Sequence, residues 1–529
     1  MGSATIERPA ARDPLGRAAR REPRITASDS DSTSNHPLDP IFHPRSVAVV
    51  GVSSREGSDG GGGGFLNSLL EAGYDKEHAL YPVNPKVDEI RGLKCYPSIL
   101  DCPDPVDHII CQIPAPGVPE LVDQAIEKGV KSIHFFTAGF SETGDEDLTV
   151  IENKFVAKGR AAGIRMIGPN CMGLYVPGVG LAFMGGFSTE PGNTFLLSQS
   201  GANAGDIIGT LSGRGVRFSK AVSYGNGADL RAHDFLDYAA SDPQTEVVTA
   251  YIEGVRDGRA FFDALRRCAA VKPTILLKGG VTDAGARAAN SHTGSLAGSV
   301  DVFEALARQT GAIRATKISE LSDLVIASTT ELRHVRGRGV VLIAGGGGFS
   351  VLSSDQLALQ GLEVPPMSDG VVDELREFIP VAGTSVRNPI DANLGRHSGD
   401  GDTTKRLYRL VAGSPGIDMV FTTVGGWGGW AGAPDGPGRD STLEEQIAHA
   451  EDSARSLSEL QIEVGVPIVA IRRERGDVPL KVARAFDQAA YNHGVAVYSS
   501  LEKAASAVSR LFEWRAQRDG LPELFSPQA

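Results

Sequence analysis

Short apolar segments rich in β-branched residues recur along the chain and alternate with amphipathic segments of helical period. The first is SVAVVGVSS from Ser46, and glycines at 60–64 separate it from FLNSLLEAGY. Further apolar segments follow, with helical stretches such as VPELVDQAIEKG between them: ALYPVNP, DHIICQIP, KSIHFFTAGF and IRMIGPNC. Strands buried on both faces have such continuous apolar runs. The alternation therefore predicts an α/β fold with a doubly wound parallel sheet.

The same pattern starts twice more. A second series begins near Asn193 with NTFLLSQSGANAGDIIGTLSGRG, and a third begins at Gly339 with GVVLIAGGGGFSVLSSDQLALQG. Both open with a strand, a loop of small residues and a helix, which suggests a repeated flavodoxin-like unit. Three α/β units fit the length of 529 residues. The basic segment ELRHVRGRG, short of large apolar residues, is interpreted as the linker between the last two.

Charge and cysteine content limit the partners and the compartment. The net charge is −13, so the chain as a whole repels phosphate backbones and anionic lipid, and we expect neither nucleic acid nor membrane as a partner. No apolar stretch reaches the roughly 18 residues that span a bilayer. The five cysteines are scattered without metal-type spacing. We therefore expect a soluble cytoplasmic protein with no metal site.

The glycine turn after the first strand is the first candidate binding site. A nicotinamide fingerprint needs G-x-G-x-x-G and an acid after the second strand. Here Val-Ser-Ser follows Gly51, and the second strand ends in Asn84, Pro85 and Lys86. A base at that place suits a phosphate-bearing nucleotide such as coenzyme A, with Gly51, Ser53, Asn84 and Lys86 as the candidate contacts. The alternative is a loop that only lets the helix pack on the sheet.

The second series carries a candidate anion site and a candidate nucleophile. In SQSGANAGD, Ser198, Ser200 and Gly201 stand at a helix start, where free N–H groups and the dipole favour an anion. The alternative is an ordinary N-cap. His292 lies in GGVTDAGARAANSHTGSLAGS, predicted to be a mobile loop of small residues. A neutral imidazole is a competent nucleophile toward phosphoryl groups.

A carboxylate on the other ring nitrogen would strengthen such a histidine. Glu253, at the end of the strand TAYIEG, is the candidate, because functional groups of α/β sheets gather at the carboxyl ends of the strands. A surface histidine and a strand-end acid that faces water are the alternatives. No G-x-x-x-x-G-K-[ST] occurs in the chain, so no P-loop for ATP is expected.

From Phe42 to about Gly520 the chain resembles the α-subunit portion of NDP-forming (ADP-forming) acyl-CoA synthetases, relatives of succinyl-CoA synthetase. The matching strings, in the order of the family, are HPRSVAVVGVS, YPVNPK, FFTAGFSETG, IGPNCMG, SQSGA, DPQTE, YIEGVRDGR, KPTILLKGG, SHTGSLAG and RNPID. The resemblance implies a CoA-binding Rossmann-like domain followed by two flavodoxin-like domains. The expected division is a disordered tail at 1–38, the Rossmann-like domain at 39–180, flavodoxin-like domains at 181–332 and 333–519, and a tail at 520–529.

The resemblance also implies roles. His292 corresponds to the phosphohistidine and Glu253 to the glutamate that supports it, Ser198, Ser200 and Gly201 bind phosphate, and Asn170 and Cys171 line the acyl-CoA region. The implied reaction converts acyl-CoA and phosphate to acyl phosphate and CoA, then passes the phosphoryl group through His292 to ADP; the reverse activates a small carboxylic acid with ATP. The nucleotide step, with ATP or ADP and Mg²⁺, needs an ATP-grasp domain, expected on a separate β subunit in an α2β2 assembly.

Three features depart from the family pattern. The loop SREGSDGGGGGF keeps a base in Arg55 but is richer in glycine, and YGNGAD has Gly227 where a lysine is common. The segment GGWGGWAGAPDGPGRDS, with Trp427 and Trp430, is either a partner or substrate-gate contact or a surface insertion. An ATP-independent acyl or carbamoyl transferase and a non-catalytic CoA-sensing module are the alternative functions. Retention of SHTG argues against both.

Overall fold

The computed structural model describes residues 36–53, 64–293, 299–392, 401–425, 441–473 and 478–519, with backbone alone for 289–293, 401 and 519. These residues form two compact units: one contains 36–329 together with 507–519, and the other contains 330–506. The division falls directly before the predicted linker ELRHVRGRG. Residues 1–35 of the tail predicted at 1–38 lie outside the described residues, as do Arg55, Trp427 and Trp430, whereas 36–38 are described and Leu38 is buried.

The first unit begins with a five-stranded sheet in the order β2-β1-β5-β6-β7, with every pair parallel. Its strands are β1 (Ser46–Val50), β2 (Ala79–Val83), β5 (His108–Cys111), β6 (Ser132–Phe135) and β7 (Arg165–Ile167), and β3 (Glu89–Ile90) with β4 (Leu93–Lys94) forms a small ribbon. The helices are α1 (Asp39–Phe42), α2 (Gly64–Glu71), α3 (Val118–Lys128) and α4 (Glu146–Ala161).

Local sequence explains where these elements begin and end. Strand β1 is buried at every position, as its unbroken apolar run predicts. Helix α3 packs its apolar face into the core and ends at Lys128; the next residue, Gly129, adopts the left-handed conformation that glycine accepts after a helix. The side chain of Asp145 accepts hydrogen bonds from the N–H groups of Asp147 and Leu148 and so caps α4.

A six-stranded sheet completes the first unit, in the order β13-β12-β11-β9-β10-β8. Its strands are β8 (Gly173–Tyr175), β9 (Thr194–Ser198), β10 (Phe218–Ser223), β11 (Val247–Ile252), β12 (Thr274–Lys278) and β13 (Ile313–Ala315). Only β8 is antiparallel, paired with β10. The helices are α5 (Gly201–Ser212), α6 (Ala232–Ser241), α7 (Gly258–Val271), α8 (Asp283–Thr293), α9 (Val300–Thr310) and α10 (Ile318–Thr329).

One of the strings that carried the resemblance, DPQTE, has a structural role in this sheet. The Nζ atom of Lys220 on β10 is fully buried and donates to Asp242 and to Gln244, both at 2.9 Å. The hydroxyl of Thr245 also donates to Asp242, at 2.6 Å. Burial of a charge is tolerated only when such partners satisfy it. The string therefore anchors the segment that leads into β11.

The second unit contains the third sheet, in the order β15-β16-β14-β17-β18-β19. Its strands are β14 (Val340–Ile343), β15 (Ser385–Val386), β16 (Ile390–Asp391), β17 (Met419–Val424), β18 (Ile468–Arg472) and β19 (Ala496–Tyr498), and β15 alone is antiparallel to its neighbour. The helices are α11 (Gly347–Leu359), α12 (Asp369–Arg376), α13 (Gly401–Ala412), α14 (Leu443–Val464), α15 (Leu480–Asn492) and α16 (Leu501–Asp519), whose residues from 507 onward belong to the first unit.

The predicted fold class is confirmed: in the described ranges, strands alternate with helices along the chain and form three largely parallel sheets beside the small β3–β4 ribbon. The histidine segment differs from its prediction. Residues 283–293 are helical, because the alanines of DAGARAA favour a helix and the hydroxyl of Thr282 accepts the N–H of Gly285 at 3.1 Å. All five cysteines are buried and free. Among the helices of the described ranges, none combines the length and apolar character that crossing a membrane requires.

Candidate active site

The carboxyl end of the first sheet brings two of the predicted coenzyme A contacts together. Gly51 has φ +94°, and a Cβ there would lie 3.0 Å from Cγ2 of Ile113, so only glycine fits this approach between neighbouring strand ends. The side-chain amide of Asn84 donates to the carbonyl of Val52 at 2.7 Å and accepts the N–H of Lys86 at 2.8 Å. Asn84 therefore holds the two loops in register, and the side chain of Lys86 remains exposed.

The segment after β7 reaches the same edge. Asn170 has φ +58°, a left-handed conformation that asparagine accepts more readily than most residues, and its N–H donates to the carbonyl of Thr137 at 2.9 Å. The thiol of Cys171 donates to the carbonyl of Phe135 at 3.4 Å, and burial raises the pKa of this thiol to about 12. Cys171 is thus a neutral, buried group that fixes the segment, whereas Asn170 is partly exposed.

Gln112, directly after β5, is a candidate that sequence reasoning missed. Both polar atoms of its side-chain amide are buried without a hydrogen-bond partner among the described residues. Its backbone lies against Gly51, since a Cβ on that glycine would be 3.1 Å from the carbonyl carbon of Gln112. Unsatisfied buried amides are costly and call for an explanation. A ligand with hydrogen-bonding groups at this edge would satisfy it.

At the carboxyl end of the second sheet, the two predicted serines make local hydrogen bonds. The hydroxyl of Ser198 donates to the carbonyl of Ser200 at 2.6 Å, and the hydroxyl of Ser200 accepts the N–H of Asn203 at 3.4 Å. Ser200 is therefore the N-cap of α5, and Gly201 is its first helical residue. A Cβ on Gly201 would lie 2.4 Å from Cγ of Met172. The N-terminus of this twelve-residue helix points its first N–H groups toward the same edge.

Glu253 is buried at the end of β11, and it does not face water. Its residue is 8% exposed, and Oε2 of its carboxylate has no hydrogen-bond partner within the described ranges. The side-chain oxygen of Gln199 fixes the backbone here, because it accepts the N–H groups of Glu253 at 2.8 Å and of Gly254 at 3.0 Å. The carboxylate is thus placed by backbone hydrogen bonds and keeps one oxygen available.

Two tyrosines lie near this carboxylate: Tyr224 is buried, and Tyr251 is half-buried. Burial, and then the charge of Glu253, raise the pKa of Tyr224 and of Tyr251 above the usual value. The hydroxyl of Tyr224 has no partner among the residues that the structure describes. Gly279 is required beside them, since a Cβ there would lie 2.5 Å from the hydroxyl of Tyr251. Both hydroxyls remain protonated at neutral pH and offer donors around Glu253.

His292 is placed by its backbone alone. It belongs to α8, whose backbone lies beside the turn Ser141–Thr143 of the first sheet region. Its side chain, and the residues 294–298 that follow, are outside the described residues. The predicted contact between His292 and Glu253 therefore stays a prediction.

The two sheet edges are joined through the segment 168–172. The N–H of Met172 donates to the hydroxyl of Ser223 at 3.1 Å, and the N–H of Asn226 donates to the carbonyl of Pro169 at 3.0 Å. Gly225 allows this contact, because a Cβ there would lie 2.3 Å from the carbonyl oxygen of Asn170. The candidate coenzyme A contacts and the Glu253 site thus share one connecting segment.

Sequence signals exist for some of the residues that were missed. Tyr251 lies on β11 and Glu253 follows directly after its last residue, so the strand alternation, continued by one position, predicts that the two lie on the same face. Gln199 and Tyr224 lie within the strings SQSGA and YGNGAD, although no local rule gives them a partner. For Gln112 the only signal is its position directly after a buried strand.

Comparison with known proteins agrees with this arrangement. Residues 45–177 match the family model "CoA binding domain", and residues 191–327 match "Succinyl-CoA ligase like flavodoxin domain". The α subunit of acetate–CoA ligase [ADP-forming] II from Pyrococcus furiosus is 32% identical over 484 residues, which cover 90% of this chain and 97% of that protein. The acetate–CoA ligase [ADP-forming] I of Archaeoglobus fulgidus is 34% identical over 388 residues, 73% of this chain and 55% of that protein.

A solved structure is also similar over most of the chain. It is dinucleotide forming acetyl-coenzyme A synthetase 1 from Ca. Korarchaeum cryptofilum, in complex with phosphate and ADP. It matches with a TM-score of 0.75 and 30% identity over 92% of this chain and 98% of that chain. The chain thus spans nearly the whole of the α subunit and of this structure, but about half of the Archaeoglobus protein.

Proposed function

Because the chain belongs to the α-subunit family of ADP-forming acyl-CoA synthetases, we propose that it is the CoA-binding, phosphohistidine-bearing subunit of such an enzyme. The observation that supports this most is Glu253. A buried carboxylate with one unpartnered oxygen, held beside two tyrosine hydroxyls at a sheet edge, is suited to accept the N–H of an imidazole and to stabilise it when charged. The proposed domain division remains the one expected from the sequence.

The first half-reaction takes place between the two sheet edges. Coenzyme A binds along the first sheet, where Gly51 and Asn84 shape the loops, Lys86 faces a phosphate, and Ser53, Asn170 and Cys171 complete the region. A phosphate oxygen attacks the thioester carbonyl, the C–S bond breaks, and coenzyme A leaves as a thiolate that takes up a proton. The product is an acyl phosphate. The N–H groups at Gly201 and the dipole of α5, with Ser198 and Ser200 fixing that turn, stabilise its phosphoryl oxygens.

The second half-reaction moves the phosphoryl group. A ring nitrogen of His292 attacks phosphorus, the bond from phosphorus to the acyl oxygen breaks, and the carboxylic acid leaves as its carboxylate. The other ring nitrogen donates to Glu253, so the positive charge that develops on the imidazole meets a carboxylate. The terminal phosphate oxygen of ADP then attacks phosphohistidine and gives ATP. Each step is reversible, so the same groups activate an acid at the expense of ATP.

The nucleotide step belongs to a partner subunit. Relatives named as α subunits imply that a further subunit takes part. We assign the Mg²⁺-dependent nucleotide site to an ATP-grasp β subunit and expect an α2β2 assembly. The substrate is a small carboxylic acid, since the two ligases described above are named for acetate.

A substitution that separates the two sites tests the proposal. His292→Ala should abolish phosphoryl transfer and leave coenzyme A affinity unchanged, because the proposed coenzyme A contacts lie on other loops. His334→Ala, a change at an exposed histidine outside the site, is the matched control and should leave both unchanged. Isothermal titration with coenzyme A and labelling from acyl-CoA, labelled phosphate and the β subunit measure the two properties. Phosphoryl transfer that survives in His292→Ala would refute the assignment.

A further inference from the structure

A cavity of about 300 Å³ lies at the far edge of the second sheet, away from the candidate active site. It is half open to solvent, and its walls come from α9, from the edge strand β13 with the turn before it, and from residues 510–517 of α16. Strand β13 is two positions from β11 in the sheet, so the reaction proposed above does not use this cavity. Its volume is that of a small-molecule site.

Two residues of the cavity wall each carry a buried hydrogen-bond donor that has no acceptor within the described ranges. Trp514 is 5% exposed, and its indole Nε1 has no hydrogen-bond partner among the described residues. The Nε atom of Arg314 is also buried, and no described residue accepts a hydrogen bond from it. A buried donor that loses water and gains nothing costs about 1–3 kcal/mol. Two of them in one small cavity indicate that an acceptor belongs there.

The charges of the wall favour an anion. Arg308 pairs with Glu304 at 3.9 Å, and Arg510 contacts Glu320. Arg314 makes no ion pair with any described carboxylate; its guanidinium donates to the carbonyl of Ala315 and lies 5.4 Å over the ring of Phe303.

Arg314 is therefore the cation of this cavity whose charge is not matched by a contacting acid. A guanidinium presents parallel N–H donors that fit carboxylate and phosphate oxygens. The lining also includes Glu304 and Glu513, which oppose a highly charged anion and favour a singly charged one.

We propose that this cavity binds a small organic anion, whose carboxylate or phosphate group accepts from Nε1 of Trp514 and Nε of Arg314. The rest of the ligand lies on the apolar wall made by Ala307, Ala312 and Ile313. The site is independent of the proposed reaction, and a ligand there acts on α9 and α16 rather than on the reacting groups. Carboxylate and phosphate share this chemistry, and the experiment distinguishes them.

Tryptophan fluorescence reports directly on the proposed contact. The chain has three tryptophans, so Trp427→Phe with Trp430→Phe leaves Trp514 as the only indole. The full chain with these two substitutions is titrated with butyrate, with inorganic phosphate and with the neutral butyramide, at constant ionic strength. A saturable change in Trp514 emission with butyrate, with phosphate or with both, and none with butyramide, is the expected result. The anion that saturates at lower concentration identifies the preferred group.

Substitutions establish whether the signal comes from the proposed donors. In the same background Arg314→Gln should weaken binding at least tenfold. Arg314→Lys, which keeps the charge and loses the Nε donor, should also weaken it, and Arg308→Gln, at an exposed and already paired arginine, should change it less than threefold. Trp514→Phe, whose binding is followed by calorimetry, should lower the affinity for the anion at least tenfold. The absence of any saturable change, or one that persists unaltered in both Arg314 variants with native circular dichroism, overturns the proposal.

Discussion

Acid should selectively open the core of the first sheet, because two histidines are buried there side by side. Nδ1 of His108 lies 2.7 Å from the hydroxyl of Ser132, and its Nε2 lies 3.3 Å from Nδ1 of His134. Burial lowers the pKa of His108 from 6.5 to about 3, and burial also lowers the pKa of His134 well below 6.5. Both rings are therefore neutral in the folded protein over the physiological range.

The sign of the pH dependence follows from these shifts. The unfolded chain takes up a proton at each histidine below about pH 6.5, whereas the folded chain does so at His108 only near pH 3. The contribution of neutral His108 to the free energy of unfolding is thus fully present above pH 6.5 and is lost as the pH falls from 6.5 toward 3. Each pH unit below 6.5 lowers the free energy of unfolding by about 1.36 kcal/mol. At pH 5.0, about 1.5 units lower, the loss from His108 alone is therefore about 2 kcal/mol. His134 acts in the same direction.

Hydrogen exchange measures this locally, which matters because a chain of several domains need not unfold in one step. The opening free energy of peptides from β5 and β6 should fall by at least about 2 kcal/mol between pH 7.5 and pH 5.0, after correction for intrinsic exchange. Peptides from β18, whose strand holds no histidine, are the internal control. His108→Gln, whatever its cost in packing, should remove about 2 kcal/mol of the pH dependence. An equal pH dependence in the variant and the wild type would refute the argument.

Three further substitutions test the site and its support. Glu253→Gln should lower phosphoenzyme accumulation, because the phosphohistidine loses a charge-assisted hydrogen bond whose free energy is about 1.5–3 kcal/mol. Labelling equal to that of the surface control Glu246→Gln would remove Glu253 from the mechanism. Lys220→Met should destabilise the second sheet by about 3–5 kcal/mol, because Asp242 is left buried without its cation. In urea denaturation, a loss of unfolding free energy no larger than that of Lys158→Met, which breaks an exposed ion pair, would contradict this. Gly225→Ala should weaken coenzyme A binding in calorimetry, since its Cβ meets the carbonyl of Asn170, whereas Gly311→Ala, with positive φ but open space, should retain wild-type affinity.

The positions of the strands along the chain could be predicted from the sequence, because parallel strands that are buried on both faces have continuous apolar runs. Strands β1, β5, β9 and β11 begin and end close to the segments that the pattern marks. The resemblance to ADP-forming acyl-CoA synthetases is confirmed by relatives of nearly full length. What the pattern cannot supply is the partner of a polar side chain, since that depends on which loops meet in space.

Individual residues illustrate this limit. Asn84 stays a predicted coenzyme A contact, and no sequence pattern shows that its amide also bonds to the backbone of Val52 and Lys86. Gln112 and Tyr224 became visible only through their missing partners. Helix α8 was predicted as a loop because its small residues were interpreted as flexible, although alanine is also the strongest helix former.

The most direct test of the proposed function is to locate the phosphoryl group. The chain is mixed with its ATP-grasp β subunit and labelled ATP, and the adduct is tested for acid lability and base stability, then mapped by peptide digestion. We expect one labelled site, His292, and loss of the label on addition of coenzyme A and the acid. The absence of label, with coenzyme A binding intact and the β subunit independently active, would contradict it and favour an ATP-independent transferase or a CoA-sensing module.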